Sequence, residues 1–159
     1  MNELALRLAE TLQAKNHKLV TAESCTGGWV AQLVTSVAGS SAFFERGYVT
    51  YSNDAKQELL GVSADTLKKH GAVSEEAAHE MAAGALSRSK GTVALSVTGI
   101  AGPAGGSAGK PVGTVCFGWA LVGHEPITET RVFMGDRENV RRQSVVHSLE
   151  RVLRLLEGA

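Results

Sequence analysis

The chain has 159 residues, 43% of them hydrophobic and 20% charged, and its 16 basic side chains balance 16 acidic ones. That balance leaves no global field to draw nucleic acid or an anionic membrane, so any anion site has to be local. A chain of this length fits one domain, spanning 1 to 159, that buries roughly two thirds of its unfolded surface; its two distant cysteines, Cys25 and Cys116, argue against a disulfide framework or structural zinc and for a reducing, cytoplasmic setting.

Leu4, Ala5, Leu8, Ala9 and Leu12 recur at three- and four-residue spacing, which predicts a helix over 2 to 16 with one buried stripe. The segment lacks the order of a signal peptide, and no apolar run approaches bilayer length. A short, partly β-branched strand at 18 to 22 leads into a helix from Trp29, and Val37 to Ser41 is turn chemistry. Residues 42 to 51, rich in Phe, Tyr, Val and Thr, predict a second strand. Ser52, Asn53 and Asp54 signal the cap of a short helix ending at Gly61, and another helical piece covers 64 to 70. Ser74-Glu75-Glu76 opens a longer helix whose apolar face carries Ala78, Met81, Ala82, Ala85 and Leu86. A compact strand at 92 to 98 runs into a glycine-rich loop over 99 to 109. Strands at 113 to 122 and 127 to 134 flank a turn and predict a hairpin, and Asp136 caps a long final helix. Helices and strands interleave at first, then three strands come in a row. The order implies an α/β protein with three α/β/α layers, a mixed sheet covered by helices on both faces.

Thr21-Ala-Glu-Ser-Cys-Thr-Gly-Gly28 sets three possible nucleophiles beside two glycines where a strand passes into a helix. Backbone N–H groups at Thr26, Gly27 and Gly28 could cradle an oxyanion over Ser24; alternatively Ser24 or Thr26 only caps the helix. Cys25 could be a thiol nucleophile there, but no histidine partner is identifiable. With Asn53 as cap, Lys56 occupies the third helical position, where the positive helix end disfavours its charge and makes it a usable general base; the alternative is a solvated, charged lysine. The loop from Gly99 to Lys110 fails both the Walker A and the G-x-G-x-x-G patterns. What it offers is a backbone able to approach a ligand, at Gly99, Ala101 and Gly102, next to the Thr98 hydroxyl, with a floppy surface loop as the alternative for its second half. Arg137 and Arg141 share a helix face and repel unless a phosphate or carboxylate bridges them, while Glu138 can pair with Arg142. The five histidines show no metal-ligand spacing.

Thr21 to Gly28, Gly47-Tyr-Val-Thr-Tyr-Ser-Asn-Asp-Ala-Lys56 and Ser96-Val-Thr-Gly-Ile-Ala-Gly-Pro103 resemble the CinA C-terminal domain family, and within it the stand-alone nicotinamide-nucleotide amidohydrolases. The likeness extends to His70–Ser74, Lys110–Val115 and Gly135–Gln143, and so covers nearly the whole chain. It implies hydrolysis of the carboxamide of nicotinamide mononucleotide to the carboxylate with release of ammonia, by Ser/Lys chemistry without a metal or other cofactor, in a homo-oligomer of two or more subunits. Carried over by position, Ser24 is the nucleophile, Lys56 the base and Tyr51 a hydroxyl that assists proton transfer. Thr98, Gly99, Ala101 and Gly102, with Arg137 and Arg141, are the candidates for holding ribose and phosphate. Neither nucleic acid nor membrane is an expected partner. Longer members carry an additional N-terminal domain, and the resemblance implies none of that domain's activities. The competing expectation, from the competence and DNA-damage association of the family name, is a regulatory module that binds a nucleotide or protein without amidase activity.

Overall fold

The structure, a computed structural model, describes residues 1–158. Six helices surround five strands in the order α1 (Asn2–Ala14), β1 (Leu19–Glu23), α2 (Trp29–Thr35), β2 (Phe44–Val49), α3 (Asn53–Leu60), α4 (Ala64–His70), α5 (Glu75–Ser87), β3 (Val93–Gly99), β4 (Thr114–Leu121), β5 (Ile127–Val132) and α6 (Arg137–Glu157). The sheet runs β2-β1-β3-β4-β5. Its first three strands are parallel, and β4 and β5 are antiparallel to their neighbours, which gives the mixed sheet and the hairpin the element order implies.

Alternation along the strands divides the core in two. Leu19, Leu95, Val97 and Phe117 face Leu8, Leu12, Val30 and Leu149 from α1, α2 and α6. Val20, Ala22, Ala94 and Ala120 face Leu60, Leu67, Met81 and Ala82 from α3, α4 and α5. Each fully buried leucine contributes on the order of 1.5–3 kcal/mol, so both helical layers are held chiefly by apolar burial. All five residues of β1 are buried, because both its faces and both its edges are covered.

The chain leaves β1 through α2 on one face to reach β2, then returns through α3 to α5 on the other face to reach β3 on the opposite side of β1. The carboxyl ends of β1 and β3 therefore border a crevice where connections diverge to opposite faces, the place at which open α/β sheets bind ligands.

Boundaries shift where local chemistry is stronger than strand propensity. Residues 40–42 form a 3₁₀ turn instead of starting β2. The ladder stops at Val49; Thr50 N–H still donates to the Glu23 carbonyl at 2.8 Å, but the Thr50 and Tyr51 carbonyls turn toward Lys56. Among the described residues no helix is long and apolar enough to cross a membrane, and no cluster of His, Cys, Asp or Glu is placed to hold a metal ion.

Candidate active site

The carboxyl end of β1 delivers Ser24. Its N–H donates to the Val97 carbonyl of β3 at 2.9 Å, which fixes the backbone before the chain turns out of the sheet. The turn over residues 24–28 needs left-handed backbone at Gly27 (φ 60°) and Gly28 (φ 103°), a conformation that a side chain would strain, and Gly28 is the N-cap of α2.

Glu23, fully buried, joins the site although it is not among the residues expected there. Its carboxylate accepts from Thr26 Oγ1 at 2.6 Å, Val30 N–H at 2.9 Å and Ala31 N–H at 3.0 Å. An anion is thus already seated on the amino end of α2, and it satisfies amides that the helix itself cannot. The signal was available in the sequence, as an acid closing an apolar strand directly before a helix start.

Ser24 Oγ lies 2.9 Å from Lys56 Nζ, and its hydroxyl also has the Tyr51 carbonyl at 3.4 Å. Lys56 is 1% exposed. Its amine donates to the carbonyls of Thr50 at 2.9 Å and Tyr51 at 3.0 Å, so every partner is a neutral oxygen. Burial holds the Lys56 pKa below the ordinary lysine value, with the nearby Cys25 pulling weakly the other way. The cause differs from the helix-end argument. Ser52, rather than Asn53, caps α3 by accepting from Ala55 N–H at 3.0 Å, which moves Lys56 to the fourth helical position; desolvation of its amine is the main effect. A neutral amine has two N–H bonds and one lone pair. With the N–H bonds directed at Thr50 and Tyr51, the lone pair is left for the Ser24 hydroxyl.

Ser24 and Lys56 open into a cleft of about 290 Å³ that is also lined by Cys25, Tyr51, Thr98, Gly99, Ala101, Gly102 and Arg137. Among the described residues no carboxylate stands on its wall, and the Arg137 guanidinium favours an anionic occupant. Hollows of about 410 and 430 Å³ lie elsewhere; the second has both Ser74 and Lys110 on its wall, but the Lys110 amine donates to the His70 carbonyl and not to the serine. None of the five histidines lines the cleft. Burial pushes the Cys25 thiol up to about 12, so it is no thiolate at neutral pH.

The remaining sequence-derived residues separate. Thr98 is buried and donates to the Ala72 carbonyl at 2.9 Å, leaving its lone pairs at the cleft wall. Arg137 donates to the Gly102 carbonyl at 2.9 Å and to the Tyr51 hydroxyl at 3.4 Å. Tyr51 therefore meets the serine and lysine through its main-chain carbonyl, while its phenol stands at the rim against Arg137. Arg141 does not line the cleft; it donates to the carbonyls of Cys25 and Thr26, each at 3.1 Å, and lies over the Trp29 ring. Glu138 pairs with Arg142 at 3.3 Å. Within the turn, Gly27 N–H is committed to the Ser24 carbonyl at 3.1 Å. The amides of Thr26 and Gly28 have no protein acceptor among the described residues, but neither residue lines the cleft and Thr26 is fully buried; Cys25 does line it, and its amide also contacts its own thiol.

A family model for the CinA C-terminal domain matches residues 1–156. The chain is 54% identical over 154 residues to the nicotinamide-nucleotide amidohydrolase PncC of Enterobacter agglomerans, covering 97% of this chain and 94% of that one. It is 52% identical over 148 residues to the protein of the same name from Escherichia coli strain K12, with 93% and 90% covered. Among solved structures it is similar to the competence/damage inducible protein CihA of Agrobacterium tumefaciens, with a TM-score of 0.94 at 44% identity over 97% of this chain and 94% of that one.

Proposed function

The chain belongs to the CinA C-terminal domain family, and from that premise we propose that it hydrolyses the carboxamide of nicotinamide mononucleotide to the carboxylate and ammonia by Ser/Lys chemistry. The observation that carries the chemistry is the 2.9 Å approach of Ser24 Oγ to a buried lysine amine that has no counter-ion.

Neutral Lys56 accepts the Ser24 proton as Oγ attacks the amide carbon. The oxyanion forms beside the amide of Cys25, the residue of the 25–28 turn that lines the cleft; Gly27 is not a donor, because its N–H is already used. Removing one such donor costs about 10² to 10³ in rate in other enzymes. The resulting ammonium stays oriented by the Thr50 and Tyr51 carbonyls and passes its proton to the departing amine, so ammonia leaves and an ester remains on Ser24. Water then enters, gives its proton to Lys56 and attacks the ester. The carboxylate product departs, and Ser24 recovers its proton.

Arg137, the cleft's guanidinium, takes the phosphate, and Thr98 with the backbone of Gly99, Ala101 and Gly102 takes the ribose. With Arg137 and no carboxylate on its wall, the cleft suits a phosphorylated substrate better than the cationic riboside. The reading includes one domain, a cytoplasmic setting and assembly into a homo-oligomer, for which the exposed Val132 and Met134 at the β5 edge are the candidate surface. Ammonia release from nicotinamide mononucleotide by wild-type, Ser24→Ala and Lys56→Ala proteins tests the chemistry. Activity in the wild type and its loss in both variants are expected; a wild-type protein that binds the nucleotide and returns it unchanged would instead mark a regulatory module.

A further inference from the structure

We propose that Asn53 is a specificity-determining residue of the cleft: its side-chain oxygen accepts a hydrogen bond from the carboxamide nitrogen of the substrate and holds that nitrogen beside Lys56. The inference deepens the amidase reading above and rests on it.

Asn53 stands on the cleft wall with Ser24, Lys56 and Arg137, and its side chain makes no hydrogen bond to a described residue. Gln57 Nε2 donates at 3.3 Å to its main-chain carbonyl, not to its amide. The capping duty that this helix start suggests for it falls to Ser52, which accepts from Ala55 N–H at 3.0 Å. The hydroxyl, amine and guanidinium groups on the wall are all engaged: Ser24 with Lys56, Thr98 with the Ala72 carbonyl, and Tyr51 with Arg137. A primary amide offers an oxygen that accepts and an NH₂ that donates. Among the described residues of the wall, Asn53 is the side chain that holds both capacities unspent.

The place of Asn53 on α3 decides which part of the substrate it meets. It is the first residue of that helix and Lys56 lies three residues on, so the two share a face with Cβ atoms about 5–6 Å apart. Helical side chains lean toward the amino end of their helix. Lys56 does so, since its amine reaches back to the carbonyls of Thr50 at 2.9 Å and Tyr51 at 3.0 Å, which brings it to the helix start that Asn53 occupies. The leaving nitrogen has to reach that amine, because Lys56 protonates it. A carboxamide brings two N–H donors to this spot, and no carboxylate stands on the wall to receive them. The lone pair of Lys56 is taken by the Ser24 hydroxyl, and Arg137 can only donate. Asn53 Oδ1 is the side-chain acceptor one helical turn away. The carboxylate product has no N–H to give, so the contact favours the amide and is lost on hydrolysis.

Steady-state kinetics of the full chain test this with two mononucleotides that differ only in the leaving group: nicotinamide mononucleotide, which releases ammonia, and the methyl ester of nicotinate mononucleotide, which releases methanol. The ester has no N–H for Asn53 to receive. Asn53→Ala is expected to lower kcat/KM for the amide by about 10-fold and to leave the ester at its wild-type value, with Tm unchanged because the side chain holds nothing in the fold. Asn53→Asp keeps an acceptor and suits a helix start, so it retains the wild-type ratio of amide to ester, while its carboxylate beside Lys56 raises the pH midpoint of kcat/KM. In Asn53→Ala, an equal loss on both substrates or no loss on either overturns the inference. So does an Asn53→Asp protein with the alanine variant's ratio or an unshifted midpoint. A wild-type protein that releases no ammonia overturns the amidase reading itself, and the inference with it, so the wild-type control tells the two failures apart.

Discussion

Replacing Glu23 by glutamine removes one charge and leaves the side-chain shape unchanged, so it isolates the carboxylate that caps α2. The native group accepts three hydrogen bonds in a fully buried site. The glutamine oxygen can keep the bonds from Thr26 and Val30, but its NH₂ then faces the Ala31 N–H, donor against donor. An unsatisfied buried N–H costs about 1–3 kcal/mol, and the two surviving bonds lose their charge assistance, each worth about 1 kcal/mol more than a neutral bond. Relief of the desolvated charge offsets part of this, and about 2–4 kcal/mol of net destabilisation follows. For a domain of this size that lowers Tm by roughly 5–15 °C. Differential scanning calorimetry of Glu23→Gln measures it, with the exposed Glu138→Gln as a control whose Tm is unchanged. Because the same carboxylate holds Thr26, the neighbour of Cys25, kcat falls together with Tm. A Glu23→Gln protein that melts within about 1 °C of wild type would refute the capping argument.

Lys56 has a folded pKa below its unfolded value of 10.5, so its neutral form gains as pH rises. The kcat/KM for ammonia release climbs with pH to a plateau, with a midpoint below 10.5, and a midpoint at or above that value contradicts the burial argument. In the window between the two pKa values the unfolded chain binds the proton and the native amine does not, so Lys56's contribution to stability is complete above 10.5 and is lost as pH falls through the folded value. Iodoacetamide at neutral pH leaves activity intact, because the Cys25 thiol is buried and held up to about 12; rapid inactivation with label on Cys25 would show an accessible thiolate. Gly84→Ala in α5 should stabilise an isolated helix by about 1 kcal/mol, yet here the added Cβ collides with the Leu60 carbonyl. Its Tm falls, and a rise would show that α3 yields more easily than its packing suggests.

Much of the fold is legible in apolar spacing. Leu8 and Leu12 in α1, Met81 and Ala85 in α5, and Leu149 and Leu156 in α6 all mark faces that the structure buries. The strand ends were less legible, because Thr50 and Tyr51 have the composition of a strand yet spend their carbonyls on an amine five or six residues ahead. Within the site, the approach of Ser24 to Lys56 depends on adjacent parallel strands β1 and β2 ending side by side, which no local pattern encodes. Arg137 and Arg141 look equivalent at i and i+4, but one turn advances a side chain by about 5.4 Å, enough to pass from the cleft to the back of the turn. Glu23 reads as one more strand residue until the helix start that it caps is placed over it.

The central claim is a covalent ester on Ser24, and the most direct measurement is peptide mapping by mass spectrometry of protein acid-quenched during turnover of nicotinamide mononucleotide. The account predicts the nicotinate ribotide joined through its carboxyl group to the peptide that contains Ser24. An ester on another residue, or sustained ammonia release with Ser24 unmodified at every quench time, would contradict it.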